Sequence, residues 1–245
     1  MINEKSEKDN LSIILPTYNE RDNICPLINK LLNLNAFYNL EILVIDDNSI
    51  DGTASLVRSI AQKDQRIRLV HRVDRTGLSS AIKEGFMNST GSIVAVMDSD
   101  GQHEPDAIKE AIYKLNKDGL DLVIGSRFLG DSEIKGLSNR RKKGSSFANY
   151  FSRLSLSDNY NNLTDFMSGC LVMKRESCVY YVHKVDVNGF KFLYELLAVS
   201  NGSLKVAEIG LTFQPRTYGK SKLDIAIFWD FLISLLHSLS LRILP

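Results

Sequence analysis

Short apolar runs and helically spaced apolar positions alternate along the first half of the chain. The runs at 11–15, 40–45, 67–71, 93–97 and 122–125 predict buried strands. Between the first two, Ile24, Leu27, Ile28, Leu31 and Leu32 recur at helical spacing. Further helices are expected at 53–62, at 77–87 and from Pro105, where proline suits the first helical turn. This rhythm implies crossover connections, and so an α/β fold with a mostly parallel central sheet and helices on both faces. Ligands of such sheets gather at the carboxyl ends of the strands. Chemistry is therefore expected at 16–20, 46–51, 72–78, 98–104 and from 126 onward, where the polar residues concentrate.

After Arg127 the rhythm breaks into a Gly-, Ser- and Lys-containing stretch, 130–146, which includes Arg140, Arg141, Lys142 and Lys143 and reads as a mobile loop over the site. A helix at 147–156, a strand at 169–173, a helix at 190–199 and a strand at 204–208 are expected to follow. The first ten residues are polar, without the apolar segment of a signal peptide, and read as a disordered tail. From 223 to 245 the chain turns apolar, interrupted by Asp224, Asp230, His237 and Arg242. Its longest uncharged piece, 231–241, is well short of the roughly 20 apolar residues of a spanning helix. The expected organisation is one catalytic domain over 11–222 followed by an amphipathic helix.

Composition narrows the partners. Thirty Lys+Arg face 29 Asp+Glu, a net charge of +1, so no global field recruits nucleic acid and any anion site must come from local clustering. Cys25, Cys170 and Cys178 form neither CxxC nor His-paired spacing, which points to reduced thiols in a cytosolic setting.

The most informative segment is Met97-Asp98-Ser99-Asp100-Gly101-Gln102-His103-Glu104-Pro105. Residues two apart on a strand point the same way. Asp98 and Asp100 can thus converge on one divalent cation, with the Gln102 amide as a further oxygen ligand, a set that suits Mg²⁺ or Mn²⁺. The competing reading is an acidic turn that caps the helix beginning at Pro105. A calcium-hand reading of Asp47 onward fails, because with Gly52 at loop position 6 the required Glu position falls on Arg58.

The first strand ends in Pro16-Thr17-Tyr18-Asn19-Glu20, not in a GxGxxG turn, and no GxxxxGK[ST] occurs, so dinucleotide and P-loop readings lose their support. That loop offers a ring, a carboxylate and an extended backbone, either a wall for a nucleobase or a plain strand-to-helix turn. Asp46 and Asp47 end the second strand, where a carboxylate can accept from a base edge or a ribose, and Asp51 stands where it can cap the next helix. Opposite this acidic edge stand Arg127, the 140–143 basic run, and Arg216, Lys220 and Lys222, whose charges suit phosphate oxygens. The four histidines lack ligand spacing, and Ser145 and Ser146 lack the setting of a nucleophile elbow.

Seven segments in order, PTYNE (16–20), VIDDNSIDGT (44–53), RTGLSSA (75–81), MDSDGQHEP (97–105), GSRF (125–128), TDFMSG (164–169) and RTYGKSKL (216–223), give the chain a resemblance to family 2 glycosyltransferases, in the dolichyl- or polyprenyl-phosphate mannosyltransferase branch. The resemblance covers about 11–223. It implies a GT-A-type fold and inverting transfer of a sugar, mannose from GDP-mannose in this branch, to the phosphate of a membrane polyprenol. UDP-glucose or UDP-N-acetylglucosamine as donor, a sugar or protein hydroxyl as acceptor, and a non-catalytic binding subunit are the alternatives. Carried over, Asp98, Asp100 and Gln102 match the metal ligands. Pro16, Tyr18, Glu20 and Asp46 or Asp47 match the nucleoside wall, and Gly77 falls with the donor site. Arg127, Arg141 and Ser145 fall at the acceptor phosphate, while Arg216 and Lys222 match the diphosphate clamp. Asp98, Asp100, Arg127 and Arg216 are the expected catalytic set. The resemblance places the protein at the cytoplasmic face of a membrane, where Ile225, Phe228, Trp229, Leu232, Leu235, Leu236 and Leu239 can lie in the bilayer interface. Packing against the catalytic domain or a small membrane subunit is the other use of that face.

Overall fold

The computed structural model describes residues 8–129, 149, 152–187 and 191–212. The elements in order are β1 (Asn10–Thr17), α1 (Arg21–Leu32), β2 (Asn39–Asp46), α2 (Thr53–Ala61), β3 (Ile67–His71), α3 (Leu78–Asn88), β4 (Ile93–Val96), α4 (Asp106–Lys117), β5 (Leu122–Ser126), β6 (Leu171–Lys174), α5 (Arg175–Lys184), α6 (Phe192–Ser200) and β7 (Val206–Gly210). The strands form one sheet in the order β3-β2-β1-β4-β6-β5-β7. All pairs are parallel except those of β6, which runs antiparallel between β4 and β5.

Strand side chains alternate between the two faces and bury against helices on each. Ile14, Leu43, Ile45, Val94, Val96 and Ile124 pack with Ala81, Ile82 and Phe86 of α3, Cys178 and Val182 of α5, and much of α6. Their strand neighbours Ile13, Leu15, Val44, Ala95 and Val123 face α1, Val57 of α2, and Ile108, Ile112 and Leu115 of α4. The uninterrupted apolar runs are the signature of strands covered on both sides. The α/β fold with a mostly parallel sheet is the one the alternation predicts.

Three details differ from the sequence expectation. β1 starts at Asn10, and the Asp9 carbonyl accepts the Asn39 N–H at 2.9 Å. Residues 8–10 therefore belong to the sheet margin and not to a disordered tail. α5 has no counterpart in the sequence reading, because it buries only Cys178 and Val182, one turn apart, and so shows no apolar stripe. β6 begins at Leu171 and β7 at Val206, each two residues after the expected start, and the reversed direction of β6 was not read from the sequence. Cys25, Cys170 and Cys178 are all unbridged.

Candidate active site

The six mutually parallel strands all end on one edge, and every described segment where chemistry was expected, up to residue 129, lies along it. Because β6 enters the sheet from that edge, the segment before it, 164–170, arrives there too. This sets Asp165 beside Arg127.

Two neighbouring loops are tied into one wall. The Asn19 N–H donates to Ser49 Oγ at 2.8 Å, and the Ile50 N–H donates to Asn19 Oδ1 at 3.0 Å. The Glu20 N–H donates to Thr53 Oγ1 at 3.1 Å. Asn19 and Asn48 adopt left-handed backbone, φ 52° and 55°, a conformation asparagine tolerates. Within this wall Pro16 is buried, the Tyr18 ring is exposed, and Glu20 is buried and accepts from Asn23 Nδ2 at 2.7 Å. Asp51 does cap: its Oδ1 accepts the Thr53 N–H at 2.9 Å. Hydrogen bonds from Thr53 and Arg21 outweigh burial and hold the Asp51 carboxyl below the ordinary range.

The adjacent Asp46 and Asp47 have different fates. Asp47 accepts the Gly77 N–H at 2.9 Å and pairs with Arg72 at 2.8 Å; Arg72 is itself buried and lies 3.3 Å from Glu84. Burial raises the Asp47 pKa despite Gly77 and Arg72, with Asp46 and Glu84 adding to the rise. Gly77 has φ 120°, backbone that side-chain-bearing residues rarely adopt, and this lets its N–H reach Asp47 as α3 begins. Asp47 and Gly77 thus brace the edge from within. Asp46 is fully buried; its Oδ2 accepts the Ser49 N–H at 3.0 Å and lies 3.7 Å from His71 Nε2, while Oδ1 has no hydrogen-bond partner. Asp47 Oδ1 likewise has no hydrogen-bond partner, but it faces the Arg72 guanidinium, whereas among the described residues Asp46 Oδ1 faces no cation of this kind.

The loop after β4 is pinned to β1 by Ser99 Oγ, which donates to the Pro16 carbonyl at 2.8 Å. Asp98 is partly exposed, with His103 Nε2 3.7 Å from its Oδ2. Asp100 is buried and its Oδ1 accepts the Gln102 N–H at 3.1 Å. The first turn of α4 is closed by the Glu104 and Pro105 carbonyls, which accept from Ala107 and Ile108 at 3.1 and 3.0 Å. Gly169 makes room here: a Cβ at that position would collide with the Asp98 carboxylate. Among the described residues no three His, Cys, Asp or Glu side chains form a ready-made cage. Two carboxylates and an amide fit a hard divalent cation that completes its shell with water and substrate phosphate.

Arg127 follows β5 directly. Its Nε and Nη2 donate to the two carboxylate oxygens of Asp165 at 2.7 and 2.8 Å, and Nη2 also reaches the Met167 carbonyl at 3.3 Å. Asp165 is fully buried and further accepts the N–H groups of Arg127 and Met167. Burial would lower the Arg127 pKa, but Asp165, and then the charge of Asp98, raise it overall. This fork-to-fork pairing fixes the plane of the guanidinium. Arg141, Ser145, Arg216, Lys222, the expected loop at 130–146 and the expected helix at 223–245 lie outside the described residues.

Sequence reading missed Glu208 as part of this edge, and gave no individual role to Arg72, which opens the expected 72–78 segment, or to Gly169, which closes the 164–169 motif. Glu208, on β7, accepts the N–H groups of Thr164 and Asp165. An acid closing the expected 204–208 strand was the available signal.

A mostly parallel sheet with an inserted antiparallel strand, and paired aspartates leaving its central strand, fit the GT-A-type fold. Residues 12–180 match the model of glycosyl transferase family 2. The chain is 34% identical over 224 residues to dolichol-phosphate mannosyltransferase of Pyrococcus furiosus, covering 91% of this chain and 61% of that protein. It is 31% identical to dolichol-phosphate mannosyltransferase of Mycosarcoma maydis, over 95% of this chain and 80% of that one. With polyprenol monophosphomannose synthase of Mycolicibacterium smegmatis the figures are 33%, 86% and 80%. The chain belongs to glycosyltransferase family 2, and it spans about three-fifths of the length of the Pyrococcus relative. Its fold is similar to that of glucosyl-3-phosphoglycerate synthase from Mycobacterium tuberculosis, solved with Mn²⁺, UDP-glucose and phosphoglyceric acid. There the TM-score is 0.72 at 20% identity, covering 95% of this chain and 80% of that one.

Proposed function

We propose that the protein transfers mannose from GDP-mannose to the phosphate of a polyprenol or dolichol, with inversion at the anomeric carbon. The single observation that carries this reading is the Arg127–Asp165 pair at the Asp98 edge, whose bidentate bond fixes a guanidinium beside a carboxylate pair. Identity to three proteins named for this activity supports the choice of sugar and acceptor. An acceptor of this kind explains why no general base is needed. A phosphate monoester, with a second pKa of about 6, is largely anionic at neutral pH and attacks without losing a proton to the protein.

The roles follow from charge. Asp46 and the wall of Pro16, Tyr18 and Glu20 hold the nucleoside, with Asp47 and Gly77 bracing that wall. Asp98, Asp100 and Gln102 would hold Mg²⁺ or Mn²⁺, which would supply positive charge against the departing diphosphate. Arg127, with Arg141 and Ser145, holds the incoming phosphate in line for attack. Arg216 and Lys222 clamp the donor diphosphate. The work site is the cytoplasmic face of a membrane, with the 223–245 helix or a small membrane subunit meeting the lipid. Among the described residues no helix is long and apolar enough to cross a membrane.

The test is a transfer assay with purified protein, a short polyprenyl phosphate in detergent, and Mg²⁺ or Mn²⁺. GDP-mannose, UDP-glucose and UDP-N-acetylglucosamine are compared, each with an EDTA control. EDTA-sensitive label in the lipid from GDP-mannose alone is expected. Label from a uridine donor alone overturns the donor assignment, and label only in a sugar or protein hydroxyl overturns the acceptor.

A further inference from the structure

The polar framework around Arg127 extends one layer behind Asp165. Glu208 sits on β7, in register with Ile124 of β5, two residues short of the end of the strand. Both its carboxylate oxygens lie 2.9 Å from the Thr164 N–H. Oε1 also accepts the Asp165 N–H, and Oε2 the Thr164 hydroxyl, each at 2.9 Å. Burial pushes the Glu208 pKa up, and Asp165 adds to the rise, against the bonds from Thr164 and Asp165.

Those contacts have a direction. A carboxylate with every near neighbour donating to it is acceptor-only, so the Thr164 hydroxyl must spend its hydrogen on Glu208. Thr164 Oγ1 then accepts from Ser126, whose hydroxyl lies 2.6 Å away. Ser126 Oγ in turn accepts the Phe128 N–H at 3.1 Å. A one-way chain therefore runs from the backbone just after Arg127, through two hydroxyls, to Glu208. A second path runs from Glu208 through the Asp165 N–H to the carboxylate that holds the guanidinium. Both flanks of Arg127 end on the same acid.

A side chain needed only to fill this place would not be an acid. A second carboxylate, partly buried beside Asp165, costs stability unless its bonds are needed. We infer that Glu208 is a positioning residue, fixing through Asp165 and through Thr164 and Ser126 the one orientation in which Arg127 meets the acceptor phosphate. This deepens the proposed function and rests on its assignment of Arg127 to the acceptor.

The test measures equilibrium binding of a short polyprenyl phosphate in detergent, with GDP and Mn²⁺ as the control ligands, on the full chain. Glu208→Gln keeps the shape but turns one acceptor into an amide donor facing the Thr164 donors. It is expected to weaken polyprenyl phosphate binding about tenfold and leave GDP binding unchanged. On an Arg127→Lys background the same change should add little, since Glu208 acts through Arg127. Thr164→Val breaks only the hydroxyl chain and should reproduce part of the loss, and it takes over the test if Glu208→Gln does not fold. Equal weakening of both ligands, or full additivity with Arg127→Lys, would overturn the inference and leave Glu208 as part of the general fold. If Arg127→Lys itself leaves polyprenyl phosphate binding intact, the acceptor assignment fails instead. Absence of binding by the unaltered chain overturns that assignment and the inference with it.

Discussion

β2 carries a carboxylate near each end, and the two live in opposite ways. At its amino end Glu41 accepts from the Ser12 hydroxyl, from the N–H and hydroxyl of Thr90, and from Arg68 at 3.0 Å. Ser12 Oγ in turn accepts the Gly91 N–H at 2.7 Å. Burial works against the charged form, but these bonds prevail and hold the Glu41 carboxyl below its ordinary range. At the carboxyl end Asp46 Oδ1 is buried without a partner, and Asp47 is held above the ordinary range by burial. An acceptor buried without a bond costs about 1–3 kcal/mol. One end of the strand is complete within the protein, while the other keeps binding capacity at the expense of stability. Cost collected on one edge of a fold marks where function sits.

The comparison is broken most sharply at Asp98. Asp98→Asn keeps the volume and removes one unit of charge at the carboxyl edge. Transfer is expected to fall by about 100- to 1,000-fold, the scale of losing a preorganised electrostatic contact, with little change in melting temperature because the side chain is partly exposed. Measured kcat with saturating Mg²⁺, set against a thermal melt, decides it. Near-normal turnover would remove Asp98 from the metal site.

A smaller effect is expected from Gly169→Ala, which changes no charge. The new Cβ collides with the end of the Asp98 side chain. A carboxylate on a rotatable side chain moves aside more easily than backbone, so the protein should fold and Asp98 should be misplaced. A shift of this size is expected to cost about 10- to 100-fold in turnover, given how steeply rate depends on geometry. If stability falls while the turnover of the folded fraction is unchanged, Gly169 serves packing and not the position of Asp98.

Much of this edge was legible before the structure. Apolar runs marked the strands because both faces of the sheet are covered, and each run ended in the polar residues that line the edge, from Pro16 to Arg127. Boundaries moved by a residue or two, as for β5, which continues through Ser126. What could not be read depends on strand direction and on contacts remote in the chain. Periodicity is the same for a strand running either way, so nothing in 171–174 announced that β6 would deliver Asp165 to Arg127. The division of labour between Asp46 and Asp47 hangs on Arg72 and Gly77, some 25 to 30 residues downstream. Glu208 is 44 residues from its partner Thr164. α5 stayed hidden because a helix with two buried residues carries no stripe.

The amino edge gives the smallest expected effect and the cleanest control. Glu41→Gln keeps the shape but loses the charge that strengthens four contacts and turns one acceptor into an amide donor facing donors. It is expected to cost about 1–2 kcal/mol of stability and to leave kcat and both KM values unchanged, since nothing at that end touches substrate. The pH dependence carries the sign. The folded pKa of Glu41 lies below its unfolded value, so its contribution is fully present above the ordinary glutamate value of about 4.3. It is lost as pH falls through the folded pKa. The stability gap between the two proteins, measured by urea unfolding, should therefore be widest near neutrality and close on acidification. A gap that is constant with pH would mean that the loss is one of packing and not of charge. A drop in turnover matching the drop in stability would show that the two ends of β2 are coupled, and that the satisfied edge also serves the working one.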